Sequence, residues 1–344
     1  MSRMAAPGEQ AGGSSRQAVR LRDVAEAAGV DTSTVSRILS GDGGLSVRPE
    51  TRRRVLDTAA RLRYRPNRAA RALKTARTMA IGMIVPELTN VAYAAIAHGA
   101  DERASRAGYA LLVATGSVRD RLLALEGRID GLLVGIATSE TLHIGELGGG
   151  LPAILVNRRE LIDIPSVTVD DEAGAALGTG HLVSIGHRRI AHVAGPQNSD
   201  TGRRRLAGYR AALAAGGIEP PPEWIVEAAY DEAGGQLAAD RTLRLRPRPT
   251  ALFVANIRAA IGAVAAARRL DLRVPADVSI VGFHDAPFTT YLDPPLTTVR
   301  MPLQEMGSRA VESLLAVIDG ETVEDLRVGT PPELVVRASS APPS

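Results

Sequence analysis

Cysteine is absent from all 344 residues, which excludes disulfides and thiolate metal sites and gives no sign of export. No apolar run reaches ~18 residues, so a membrane span is not supported. The opening MSRMAAPGEQAGGSSRQAVR lacks the continuous apolar stretch of a signal peptide and is rich in Gly, Ser and Ala. Residues 1–18 are therefore expected to be a disordered tail, with Met4 as an alternative start, and the protein is expected in the cytoplasm. Catalytic signatures are missing too. The six histidines form no His-Glu-x-x-His zinc motif, and there is no Gly-x-Ser-x-Gly elbow, no Gly-Lys-Ser/Thr phosphate loop and no Gly-x-Gly-x-x-Gly after the first strand. No catalytic residue, cofactor or metal site is expected. Lysine is nearly absent as well, since Lys74 stands alone beside 40 arginines, a bias that points to a GC-rich genome rather than to chemistry.

What is present is unevenly placed. Residues 1–77 carry sixteen basic and seven acidic side chains, a net of +9, and the remainder nets −6. Within the basic part, LRDVAEAAGVDTSTVSRILSG (21–41) has Val24, Ala25 and Ala28 on one face of a first helix, Gly29 as its stop, and Asp31 as a cap for a second. Val35, Ile38 and Leu39 then face inward, leaving Thr32, Ser33, Ser36 and Arg37 outward. These are short hydrogen-bonding groups and one guanidinium fork, suited to base edges in a helix-turn-helix. The alternative, phosphate contact or plain solvation, weighs more for Ser36 than for Arg37. A third helix opening at Pro49 with Val55, Ala59 and Leu62 would close a small core.

DVAEAAGV (23–30), TVSRIL (34–39) and RPETRRRVLDTAARLRYRPNRAARAL (48–73) resemble the headpiece of the lactose/galactose-repressor (LacI/GalR) family of bacterial transcription regulators. The resemblance implies that Thr32, Ser33 and Arg37 read bases in the major groove, with Ser36 beside them on the DNA-facing side. It also implies that residues 65–78 are a hinge helix and linker whose Asn67, Arg68 and Leu73 meet DNA, Leu73 as a minor-groove wedge. An ordinary linker helix is the alternative for that segment.

Beyond Thr78, short apolar strands alternate with helical stretches, the pattern of parallel sheets with crossover helices. One set lies at 79–86, 109–116, 131–136 and 152–157, and a second at 189–196, 250–256 and 278–285. Two Rossmann-like lobes follow, with a ligand expected in the crevice beyond the strand ends. The fold class is thus α/β: a three-helix helix-turn-helix headpiece (19–64), the hinge, and a two-lobed periplasmic-binding-protein-like core (79–344). The N-lobe is expected at about 79–168 and 300–330, and the C-lobe at about 169–299 and 331–340.

GHLVSIGHRRIAHVAGP (180–196), RRRLAGYRAAL (203–213), RVPADVSIVGF (273–283) and DPPLTTVRMP (293–302) extend the same resemblance through the core. It implies a small-molecule effector bound by Tyr93, Asn157, Thr201, Arg205, Tyr230, Asn256 and His284. Core packing for the tyrosines and loop capping for the asparagines are the alternatives. Departures from the family pattern are Asn90-Val91-Ala92-Tyr93 for Asn-Pro-Phe-Phe, Ile257 for an aspartate after Asn256, and His284 for the first aspartate of GFDD. Arg48 stands for a capping serine, and the connection at 115–130 is about ten residues short, which would trim a helix. An imidazole in place of a carboxylate favours an acidic or phosphorylated ligand over a neutral sugar. The expected function is a homodimeric repressor on a near-palindromic duplex operator, with no tetramerising leucine heptads in the closing VVRASSAPPS. A solute-binding protein of the periplasmic type, without a regulatory role, is the alternative.

Overall fold

The computed structural model describes residues 19–39, 44–64, 77–136, 150–159 and 163–344. The expected tail and residues 65–76 of the expected hinge lie outside them, and with these Asn67, Arg68 and Leu73. The chain divides into two compact units, Met1–Ala76 and Arg77–Ser344.

Three helices make the first unit: α1 (Leu21–Ala28), α2 (Thr32–Leu39) and α3 (Pro49–Arg61). Asp23 accepts from the Arg20 backbone N–H at 2.7 Å and so ties down the start of α1. Gly29 ends it at φ 62°, a left-handed conformation that costs glycine nothing. Arg54 reaches from α3 to the freed carbonyl of Ala28 at 2.9 Å, placing a cation at the negative end of the α1 dipole. Arg48 supplies no side-chain cap to α3, as its identity implies. Val24, Ala25, Ala28, Val35, Ile38, Val55 and Ala59 form the core, while Leu39 and Leu62 are only partly buried around it.

The second unit holds two six-stranded sheets. The first has the order β11-β5-β4-β3-β1-β2, all neighbours parallel, from β1 (Ala80–Val85), β2 (Ala110–Thr115), β3 (Gly131–Val134), β4 (Ala153–Val156), β5 (Ser166–Thr168) and β11 (Leu326–Arg327). The second has the order β12-β10-β9-β8-β6-β7, from β6 (Ile190–Ala194), β7 (Ile225–Glu227), β8 (Ala251–Val254), β9 (Ser279–Phe283), β10 (Thr297–Arg300) and β12 (Glu333–Val335), with only the β10/β12 pair antiparallel. The chain passes between sheets three times, after β5, after β10 and after β11.

Helices α4 (Val91–Arg106), α5 (Val118–Leu125) and α10 (Leu303–Ile318) pack on the first sheet. Helices α6 (Asp171–Ser184), α7 (Asp200–Ala215), α8 (Glu232–Leu243) and α9 (Ile257–Arg269) pack on the second. The shortened connection at 115–130 contains the eight-residue α5. β1, β3, β4, β6, β8 and β9 are buried along their whole length, which is why they stand out as apolar runs. Among the described residues no helix is long and apolar enough to cross a membrane.

Candidate nucleic-acid interface and ligand cleft

In the first unit, α2 turns Val35 and Ile38 into the core and leaves Thr32, Ser33 and Arg37 exposed, with Ser36 half-buried. The 3.6-residue period makes this division, since positions 32, 33, 36 and 37 fall opposite 35 and 38. Arg22, Arg48, Arg53 and Arg61 are exposed on the same small unit, which makes its surface cationic. Short hydroxyl side chains and a guanidinium on a compact helix are what a major groove admits and a phosphate backbone attracts.

In the second unit, a buried polar cluster is built around Arg205 on α7, which is 2% exposed. Its Nε donates to Asp171 Oδ1 at 2.7 Å and its Nη1 to the Ala255 carbonyl at 2.8 Å, and its Nη2 lies 3.4 Å from His284 Nε2. The guanidinium rests over the Phe283 ring at 4.4 Å and the Tyr230 ring at 5.5 Å. Burial works against this charge, but the Asp171 carboxylate and Tyr230 hold its pKa above that of an ordinary arginine. Asp171, fully buried, is shared with Arg204, whose Nη1 sits 2.5 Å from Oδ2 and whose Nε donates to Asp200 at 2.9 Å. Removing one member of such a buried set leaves the others uncompensated, which is what fixes Arg205 in place.

Around this centre the expected ligand residues take different positions. Tyr230 Oη lies 3.3 Å from Thr201 Oγ1 and can approach because residue 195 is glycine, where a Cβ would stand 2.1 Å from that oxygen. Tyr93 of the first lobe is buried and donates to the Gly135 carbonyl at 3.0 Å. Burial raises its pKa, opposed by Arg158, which hydrogen-bonds its hydroxyl, and it feels Tyr230 and Arg205 of the other lobe. Asn157, directly before Arg158, is buried at φ 66°. Asn256 acts as the cap of α9, its Oδ1 accepting from the Arg258 N–H at 2.8 Å, so the local structural role is the one observed for that oxygen. His284 is buried against Phe283 and Arg205, and burial, reinforced by the Arg205 charge, pushes its pKa well below the ordinary histidine value.

The neighbouring Asp285 is engaged elsewhere. Its carboxylate accepts from Thr289, Thr298, Arg300 and Arg337, and although burial opposes its charge these donors pull its pKa down to about 2. Tyr93, Thr201, Arg205, Tyr230 and His284 are thus brought together at the ends of strands from both lobes.

Sequence reasoning missed Asp171 and Arg204, which orient Arg205, and Arg158, which meets Tyr93. It also missed the contacts that join the lobes. Arg159 donates its backbone N–H to Asp200 at 3.0 Å, and Arg258 reaches Glu87 after β1 at 2.5 Å while Glu232 holds its other nitrogens at 2.7 and 2.9 Å. No pattern in the sequence marked Arg258, Glu87 or Glu232 as partners.

Residues 20–67 match the profile of bacterial regulatory proteins of the lacI family, and residues 179–340 match a periplasmic binding protein-like domain. The HTH-type transcriptional regulator reg1 of Streptomyces lividans is 37% identical over 342 residues, covering 94% of this chain and 96% of the relative. Among solved structures, a lac repressor dimer bound to operator and the anti-inducer ONPF superposes with a TM-score of 0.80 at 31% identity, over 94% of this chain and 100% of that one. A transcriptional regulator CelR–cellobiose complex gives 0.72 at 31% identity, over 93% and 99%.

Proposed function

The chain belongs to the lacI family of bacterial regulatory proteins, and from that premise we propose that it is a dimeric repressor of near-palindromic operators controlled by a small effector. The observation that carries this reading is the pairing, in one chain, of an exposed α2 bearing Thr32, Ser33 and Arg37 with a two-lobed core whose strand ends gather Tyr93, Thr201, Arg205, Tyr230 and His284. In this reading Arg37 forks onto a base edge, Thr32, Ser33 and Ser36 register the helix in the groove, and the hinge places Asn67, Arg68 and Leu73 on the minor-groove side. The domain boundaries are those of the expected headpiece, hinge and lobes.

One headpiece reads only a few base pairs, so two are needed for a selective site. The second copy is supported by apolar side chains left open on the core: Leu112 and Val113 on the edge strand β2, and Phe288 and Tyr291 after β9, the last 86% exposed. Effector binding between the lobes changes how they close and thereby biases the hinge, with a coupling of about 1–3 kcal/mol. The relatives compared are regulators, which supports a role without catalysis, and a duplex-bound regulator acts in the cytoplasm.

Selection of bound sequences from a random duplex library with the purified full chain tests this. Enrichment of a palindrome with a fixed central step is the expected outcome. Recovery of no enriched sequence would leave a basic two-lobed solute-binding protein as the better reading.

A further inference from the structure

Two side chains at strand ends share an unusual combination of features. Asn157 follows β4 in the first lobe and His284 follows β9 in the second, and both hold left-handed backbone, at φ 66° and φ 74°. They are 4% and 2% exposed, and each presents a buried polar atom with no hydrogen-bond partner, Asn157 Oδ1 and His284 Nδ1. Among the described residues the other non-glycine positions with positive φ, Arg63, Met79 and Asp271, do not follow a strand. Backbone strain and an unsatisfied polar atom at the same residue, repeated on two lobes at the ends of core strands, are marks of a recognition site rather than of packing.

The proton on His284 can be placed from its neighbour. Arg205 has only donors, and its Nη2 faces Nε2 at 3.4 Å, so Nε2 is the acceptor and the ring proton sits on Nδ1. Nδ1–H is then a buried donor lacking an acceptor. It lies beside a guanidinium whose one fully buried carboxylate, Asp171, is shared with Arg204. A hydroxyl could accept from Nδ1, but an oxyanion accepts more strongly and also gains from the Arg205 charge.

Building on the effector-cleft reading above, we propose that His284 donates from Nδ1 to an oxyanion of the effector, which makes the effector a small metabolite bearing a carboxylate or phosphate rather than a neutral polyol. Asn157 Oδ1, on the other lobe, accepts from a hydroxyl or amide of the same molecule. His284 is thereby a specificity-determining residue, and the near-isosteric pair Asn and Asp separates its chemistry from its shape.

The test follows the thermal-unfolding midpoint of the full chain during titration with sodium phosphate and with sodium acetate, each against sodium chloride at equal ionic strength. The wild-type midpoint is expected to rise saturably in at least one oxyanion, phosphate alone marking phosphorylated effectors and acetate alone marking carboxylates. His284→Asn, which keeps an amide donor, retains the response. His284→Asp, which offers only acceptors, weakens the apparent affinity roughly 10- to 100-fold. A wild-type midpoint that rises no further in either oxyanion than in chloride overturns the assignment, and so does a rise that persists undiminished in His284→Asp. Duplex selection by the wild type without oxyanion is scored separately. Enriched sequences with no oxyanion response would reject the effector class alone, whereas no enriched sequence would reject the regulator reading.

Discussion

Acid should destabilise the second unit through His192, and the size of the effect can be worked from its surroundings. His192 lies on β6 with no exposure, stacked between the rings of Tyr209 at 4.8 Å and Phe253 at 5.1 Å. Its Nδ1 lies 2.9 Å from the Phe253 carbonyl and so donates to it, while Nε2 is buried without a partner and has nowhere to put a second proton. Burial, with smaller contributions from Arg205 and Arg210, lowers its pKa to about 4 against the pull of that carbonyl. The unfolded chain protonates near 6.5, so it binds the extra proton first. The stability is therefore whole above pH 6.5 and is lost as pH falls toward 4. The full gap is worth about 3 kcal/mol, of which about 2 kcal/mol is gone by pH 5. Trp224, the one tryptophan, is buried in the same lobe and reports urea unfolding by fluorescence. Buried His284 contributes in the same direction, so the informative quantity is the difference between wild type and His192→Phe. That difference should shift by about 2 kcal/mol between pH 7.5 and 5. Parallel pH profiles for the two proteins would refute the argument.

Other substitutions probe the remaining parts. Arg37→Ala should cost about 1–3 kcal/mol at one matched base and relax choice there, as read by duplex selection; an unchanged preference would reduce Arg37 to a phosphate contact. Leu73→Ala should weaken specific binding far more than nonspecific binding in competition assays, and equal losses would count against the wedge. Glu87→Gln and Arg258→Gln, in a double-mutant cycle on urea unfolding, should show a coupling of about 0.5–1 kcal/mol that shrinks in high salt, and additivity would mean that the cross-lobe pair does nothing. Arg205→Ala should cost the second unit about 3–5 kcal/mol because Asp171 stays buried with one partner fewer, and a loss under about 1 kcal/mol would deny Arg205 its structural role.

The parts of the fold that showed in the sequence are those where one physical rule acts alone. In the headpiece, Val24, Ala25, Ala28, Val35 and Ile38 obey the helical period and all are buried. In the core, β1, β3, β4, β6, β8 and β9 are buried on both faces, so each is an apolar run, interrupted only by His192 in β6 and Ser279 in β9. The missed strands β5, β7, β10, β11 and β12 are two to four residues long, as in Ser166–Thr168 and Leu326–Arg327. Their pairing is set by neighbouring strands brought in from far along the chain, and so short a segment carries no periodicity of its own.

The site was less legible, and Arg205 shows why. The family resemblance implies only that Arg205 binds the effector. In the structure its Nε and Nη1 are already committed to Asp171 and the Ala255 carbonyl, its face to Phe283 and Tyr230, and its Nη2 to His284. Asp171 lies 34 positions away and His284 lies 79, so no local pattern could disclose these partners. The consequence runs through His284, because the same Arg205 that is too engaged to act as a free clamp is what orients the imidazole. Recognition passes from a charge that the fold needs to a neutral donor that the fold leaves unsatisfied. A single buried cation can therefore tie the stability of the second lobe to the chemistry of the ligand it accepts, and substitutions at Arg205 should move both together, while those at His284 should change ligand choice and also remove its share of the acid sensitivity.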